Sequence, residues 1–239
     1  MFMLIKRTGG MLPEEKTNMS TIILETTVVR IPPEVKDLAS FRRWAQSDRF
    51  PENGRICFLN GEVWVDMSKE QAFTHNQVKG QFAKVLTTLA EDHDFGRFFP
   101  DGMLLTNVEA DLSCQPDGIF VSKKALKGDR LRLVKGKKGG YVELEGTPDM
   151  VLEVVSESSV EKDTVILHNL YWEAGISEYW LVDARGRAVS FEILCRSSDG
   201  YTTPRKQGGW LKSPVFGKSF KLTCEIDSIG HPKYQLHVK

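Results

Sequence analysis

The sequence predicts an α/β fold, a mixed β-sheet flanked by helices. Three observations carry that reading. Residues 149–155, Asp-Met-Val-Leu-Glu-Val-Val, form an apolar run rich in β-branched side chains, as a buried strand requires. An amphipathic stretch over about 160–174 follows and stops at Gly175, the residue type that most easily takes the left-handed conformation closing a helix. A second strand pattern then occupies 178–183. A helix joining two strands predicts a βαβ-like crossover, whose strands run parallel if they share one sheet.

The remaining elements follow in order. Residues 1–20 mix Gly, Lys, Glu and Pro without a period and read as a mobile tail, with Met19 as an alternative start. Residues 21–239 are then expected to form one domain, a size that supports a sizeable core. Val35, Leu38, Phe41, Trp44 and Ala45 recur at helical spacing over 34–47. Arg55 to Asn60 and Glu62 to Met67 read as a hairpin about Asn60-Gly61, a strong two-residue turn signal. From about Thr74, Val78, Phe82, Val85, Leu86 and Leu89 mark a long amphipathic helix. Short strands are expected near 103–108 and 115–121, and a further strand near 187–195 pairs with 178–183 through Arg185-Gly186.

Composition excludes several classes. Apolar residues make up 41% and charged residues 27%, as in ordinary water-soluble domains, and the net charge is zero. Neither a secretory leader nor an apolar run of about 20 residues is present, so no membrane role is expected. Cys57, Cys114, Cys195 and Cys224 form no Cys-x-x-Cys pair, which argues against a zinc site and for free thiols in a reducing cytoplasm.

Two acids stand out because each belongs to an apolar strand. Glu153 lies in the middle of one, and Asp117 leads another, Gln115-Pro116-Asp117-Gly118-Ile119-Phe120-Val121. A charge there costs several kcal/mol unless it is compensated. The bland compensation is an ion pair with Lys or Arg. The chemical one is a hard divalent cation, Mg²⁺ or Mn²⁺, held by Asp117, Glu153 and the main-chain carbonyl of Val154. Alternation turns the Val154 side chain away from Glu153 and leaves its backbone for the ion.

The surrounding motifs resemble the Uma2 family of restriction-endonuclease-type proteins, a branch of the PD-(D/E)XK nuclease superfamily. Carrying the resemblance are the Asp117 strand, the Pro148-Asp149 strand ending Glu153-Val154-Val155-Ser156, and Ala174-Gly175-Ile176-Ser177-Glu178-Tyr179-Trp180-Leu181-Val182-Asp183. Leu59-Asn60-Gly61-Glu62-Val63 and His75-Asn76 upstream, and Trp210 to Gly217 downstream, extend it over roughly 40–225. The resemblance implies a restriction-endonuclease-like fold and a Mg²⁺- or Mn²⁺-dependent DNA endonuclease. It adds Glu62 and His75 to the candidate site. Its lysine position, two residues after the acid, is Val155 here, and the alternative position on the next helix is Leu167. The nearest basic residues are Lys162 and His168, and Lys162 is the candidate for the cationic role. Asp163 is read as a first-turn residue favoured by the helix dipole. Tyr171, Trp172, Tyr179 and Trp180 are read as packing residues.

Two other classes remain open: a nuclease-fold protein that binds nucleic acid or a protein partner without cutting, and a purely structural reading in which both acids form ion pairs. Residues 122–140 hold eight basic residues against Asp129, either a solvated insertion or an arm contacting DNA phosphates. Cutting both strands of a duplex favours two sites, so a homodimer is expected.

Overall fold

The computed structural model describes residues 3–4, 20–24, 27–51 and 53–239, with side chains from Val29 onward. Most of the expected mobile tail lies outside the described residues. Within it, β1 (Met3–Leu4) pairs with a strand of the main hairpin, and Ser20 opens β2 (Ser20–Leu24), which pairs with β3 (Thr27–Ile31).

Asp37 starts α1 (Leu38–Ala45) by accepting the Ser40 amide at 2.7 Å, while the Ser40 hydroxyl accepts the Asp37 amide at 3.0 Å. This reciprocal cap sets the helix start four residues later than periodicity alone suggests. The expected hairpin forms from β4 (Arg55–Leu59) and β5 (Glu62–Asp66), with Asn60 and Gly61 both at positive φ. The long helix begins with a wide π-type turn, 72–77, and continues as α2 (Val78–Asp92). Then come β6 (Gly96–Pro100), β7 (Leu104–Asn107), β8 (Leu112–Cys114) and β9 (Gly118–Ser122).

Residues 122–140 depart from the expected insertion. They form a short helix α3 (Lys123–Lys127) and a strand β10 (Leu131–Lys135), which pairs with β11 (Tyr141–Gly146). Turns remain at 128–130 and at the Gly-rich end. Next, β12 (Met150–Val154) leads through a second wide turn, 162–166, into α4 (Leu167–Glu173) and β13 (Glu178–Asp183). β12 and β13 are parallel neighbours, as the crossover requires, and Gly175 closes the helix at φ 76°. The chain ends with β14 (Ser190–Ser197), β15 (Gly200–Thr202), β16 (Leu211–Ser213), β17 (Lys218–Ile226) and β18 (Pro232–Val238).

Two sheets dominate. One has seven strands in the order β1-β5-β4-β8-β7-β11-β10, and the other six, β15-β14-β13-β12-β9-β6. Strand alternation sorts their faces. On β12, Met150, Leu152 and Val154 pack with Phe82, Leu86 and Trp180, towards α2 and the C-terminal strands. Val151 instead packs with Ile119, Val121, Cys57, Cys114 and Tyr171, in the seam between the two sheets. Glu153 and Arg55 share the parity of Val151 and Cys57, so both side chains are directed into that seam. Ile56 and Phe58 face the other way, against Phe41 and Trp44 of α1. No helix among the described residues is long and apolar enough to cross a membrane.

Glu178, which lies in the family-like motif, is a structural pin. Buried at the start of β13, it accepts the Ser213 hydroxyl at 2.7 Å, the Val215 amide at 2.7 Å and the Trp180 indole N–H at 2.8 Å. It thereby fastens the segment after β16 to the six-stranded sheet. Glu178→Ala strands these donors, each costing about 1–3 kcal/mol. It should lower the urea midpoint more than an alanine at exposed Glu173.

Candidate active site

Asp117 immediately precedes β9 and is buried. Its Oδ2 accepts the Val154 amide at 2.7 Å. The β9–β12 ladder pairs Gly118 with Leu152. One further step of the same register sets Asp117 opposite Glu153, on one face of the sheet. The Val154 carbonyl shares an edge with its amide and so faces the Asp117 side.

Glu153 is buried, and its Oε1 accepts the Tyr171 hydroxyl at 2.6 Å. Burial pushes its carboxyl from 4.5 up to about 8; the charges of Asp163 and Asp117 add to the rise, and Lys162 opposes it. Lys162 Nζ lies 3.8 Å from Glu153 Oε2 and 2.5 Å from Asp163 Oδ1. Burial alone would neutralise this lysine, but the two carboxylates more than offset that and hold it charged. Asp163 also receives the Ser159 hydroxyl at 2.5 Å. It is a first-turn residue, as the sequence suggested, and is also a buried partner of Lys162.

His75 lies in the first wide turn and is 2% exposed. Its Nε2 is 3.6 Å from Asp117 Oδ2 and its Nδ1 is 3.7 Å from Glu70 Oε1, yet neither nitrogen makes a hydrogen bond. Burial lowers its pKa and favours the neutral ring. Such wide turns are frequent at functional sites, and here one carries His75 and the other carries Lys162 and Asp163.

The structure brings Asp117, Glu153, Val154, Lys162 and His75 together. It does not bring Glu62, which pairs with Leu59 at the turn end of the hairpin. The other end of that hairpin, Arg55 opposite Asp66, is the one that reaches the group. Nor does His168 join: it is half-buried against Tyr201, outside the cluster.

Four participants were absent from the sequence reading. Arg55 NH2 lies 3.3 Å from Asp117 Oδ1 and 2.5 Å from Glu70 Oε1. Lys79 Nζ lies 3.7 Å from Asp117 Oδ1 and 2.5 Å from Asp101 Oδ2, and also meets Glu70. The available signal was the spacing of His75 and Lys79, four apart on one helix face. Tyr171 packs as expected, against Tyr179, but its hydroxyl also serves Glu153. Two hollows lie near the cluster, and His75 lines the larger of them. One, about 440 Å³, is lined by Arg55, Asp66, Glu70, Asp101 and Gly102. The other, about 560 Å³, is lined by Lys69, Thr74, Ser156, Ser158 and Arg185.

Among the described residues, no group of three or more His, Cys, Asp or Glu side chains is arranged to hold a metal ion. In kind, however, the donors fit a hard divalent cation: two buried carboxylates and a main-chain oxygen on one edge. Mg²⁺ commonly takes only one or two carboxylates and fills its other positions with water and substrate phosphate. The raised pKa of Glu153 marks an ionisation that a nearby cation would favour.

A family model described as Uma2, putative restriction endonuclease, matches residues 38–225. The chain belongs to the Uma2 family. Its fold is similar to the crystal structure of a putative nuclease belonging to DUF820 from Anabaena variabilis ATCC 29413. The TM-score is 0.56 at 16% identity, over 76% of this chain and 90% of that one. At that identity the likeness shows the fold alone. No curated protein matches the chain. Family and fold together point to a nuclease of the restriction-endonuclease type, and the Uma2 match spans every residue of the buried cluster.

The two acids should respond differently to substitution. Asp117→Ala strands the Val154 amide and a partner of Arg55, and should cost about 2 kcal/mol or more in urea unfolding. Glu153 holds a proton up to about pH 8 when folded but only to about 4.5 when unfolded. The stability from that proton is present below the unfolded value and is lost as pH rises through about 8. Glu153→Gln removes this loss. In buffer with chelator, it should therefore gain stability relative to the parent chain as pH rises towards 8.

Proposed function

We propose that this Uma2 chain is a divalent-metal-dependent DNA endonuclease that hydrolyses phosphodiester bonds in the seam between its two sheets. The observation that carries the reading is the convergence of Asp117, Glu153 and Lys162 from three elements into one buried cluster. Asp117, Glu153 and the Val154 carbonyl would hold Mg²⁺ or Mn²⁺. A cation bound there supplies Lewis-acid charge for phosphate oxygens and eases deprotonation of water.

The chain's own residues divide the remaining work. Lys162, kept charged by Asp163 and Glu153, is the fixed positive group that orients water and offsets charge growing on the phosphate. Tyr171 holds the Glu153 carboxyl in place by its hydroxyl. His75, neutral and without a hydrogen bond, can exchange a proton with water beside Asp117. Arg55 and Lys79 offset two of the three negative charges of Asp117, Glu70 and Asp101, which lessens the repulsion of a polyanion approaching the 440 Å³ hollow. The unpaired cysteines suit a reducing cytoplasm.

Plasmid or linear duplex DNA with Mg²⁺ or Mn²⁺ should be cut by the parent chain, and cutting should stop with chelator. Asp117→Asn and Glu153→Gln should each abolish it while the protein stays folded. Lys162→Met should lower kcat by about 10²–10³, the usual loss for a donor facing developing charge. A second reading, binding without cleavage, is favoured by the lack of a third side-chain ligand among the described residues. It predicts that all these chains bind DNA alike and that none cuts.

Cleavage of both strands favours two copies of the site, so we infer a homodimer. Light scattering should give twice the chain mass, and a monomer at every accessible concentration would remove the inference.

A further inference from the structure

The β10–β11 hairpin gathers its lysines at the tip. Between Leu133 and Val142 it holds Lys135, Lys137 and Lys138 and no acid. The turn is ordered: Gly136 donates to the Gly140 carbonyl at 2.8 Å, and Gly139 to the Gly136 carbonyl at 3.0 Å. Tyr141, 54% exposed, lies under Lys135 Nζ at 5.7 Å from its ring centre. By contrast the hairpin's base is buried and fixed. Leu131 and Leu144 enter the core, and fully buried Glu143 is held by Arg42 at 2.8 Å and Gln46 at 2.6 Å from α1. A rigid base and a solvated, uniformly basic tip make an arm.

Topology places that arm beside the candidate active site. β11 runs parallel to β7, with Glu143 opposite Leu104. β7 starts three residues after Asp101, which contacts Lys79 and donates its amide to the Asp117 carbonyl at 3.2 Å. The hairpin turn therefore extends past the end of the sheet where the 440 Å³ hollow opens. It overhangs by about 10 Å at ~3.3 Å per residue, and lies one strand spacing from the Asp101 side of the hollow and three from Arg55, about 5–15 Å to the side. That reach is on the order of a few base-pair steps.

We propose that Lys135, Lys137 and Lys138 form a phosphodiester-backbone clamp that holds the duplex flanking the scissile bond. The inference rests on the nuclease reading and deepens it by assigning the substrate's flank to this hairpin. The ligand is a polyanionic sugar–phosphate backbone, read without base contacts, because lysine tips meet phosphates and not base edges. Three contacts imply that log affinity falls with log salt by roughly 2–3 units of slope from this arm alone.

The test uses full-length Glu153→Gln protein, so that binding is read without cutting, and compares it with the same protein carrying K135E, K137E and K138E. Fluorescently labelled 30-base-pair duplexes of unrelated sequence, as DNA and as RNA, are titrated at several salt concentrations. The clamp predicts at least tenfold weaker binding of every DNA sequence at low salt, and a salt slope smaller by about 2–3. In the cleaving background, the triple variant should raise KM with kcat nearly unchanged, and the increase should vanish on duplexes too short to reach the turn. If the parent binds and cuts DNA but the triple variant does so equally well, the clamp is wrong and the nuclease reading stands. If the parent binds no DNA at all, both fall. A loss seen only with RNA duplex, or only with anionic phospholipid vesicles, would overturn the DNA assignment. Circular dichroism of the triple variant, with all three changes at solvated positions, should match the parent.

Discussion

The hydrogen bond from the Val154 amide to Asp117 is the constraint on which the candidate site depends. The β9–β12 ladder reaches Gly118 and Leu152. At the next hydrogen-bonded position Pro116 has no amide to donate to the Val154 carbonyl, and the Val154 amide donates to a side chain instead of the main chain. The Asp117 carboxylate takes over where the main chain stops, and closes the ladder with its Oδ2. Several consequences follow from this one contact. Asp117 must face the seam, because its partner strand presents Glu153 there. One of its oxygens is committed to the backbone, so its other oxygen meets Arg55 and Lys79. The Asp117 carboxylate is thereby tied to the main chain next to Glu153, whose own carboxyl is held by the Tyr171 hydroxyl.

The charges around that contact are arranged unevenly. Asp117 has Arg55, Lys79 and a backbone amide to stabilise its anion. Glu153 has a phenol and a lysine shared with Asp163, and lies deeper in the seam. Burial makes Glu153 resist ionisation, with the nearby carboxylates adding to the effect.

Elements with a single strong local signal were legible in the sequence. Asn60-Gly61 gave the hairpin, Gly175 the end of α4, and the apolar run around Glu153 the central parallel strand. The parts missed depend on register and packing across long sequence separations. Arg55 reaches Asp117, 62 residues away, because β4 and β9 belong to sheets packed face to face. Nothing near Arg55 in sequence records that. Glu62 follows the same hairpin turn that was read correctly, yet the turn itself places Glu62 at the wrong end to reach the cluster. Residues 131–146 concealed a strand pair because lysines and glycines dominated the count. Leu131-Arg132-Leu133 and Glu143-Leu144-Glu145 alternate apolar and charged residues, with Leu131 and Leu144 inward.

The position of the cation shows how backbone geometry can substitute for a sequence motif. The superfamily-like lysine positions at 155 and 167 are valine and leucine here. Val155 is buried, and Leu167 is part of the apolar seam. The turn between them is wide, and the Leu167 amide donates to the Lys162 carbonyl, five residues back. In such a turn, residues five apart stack on one face of the helix, where a regular helix would stack residues three or four apart. Lys162 thus occupies the face of residue 167, one wide turn nearer to Glu153. A pattern search with helical spacing looks at 163 or 164 for that neighbour and finds Asp163, which is instead the lysine's partner. The same extra residue per turn that hides the cation from sequence reading carries it into contact with both buried acids.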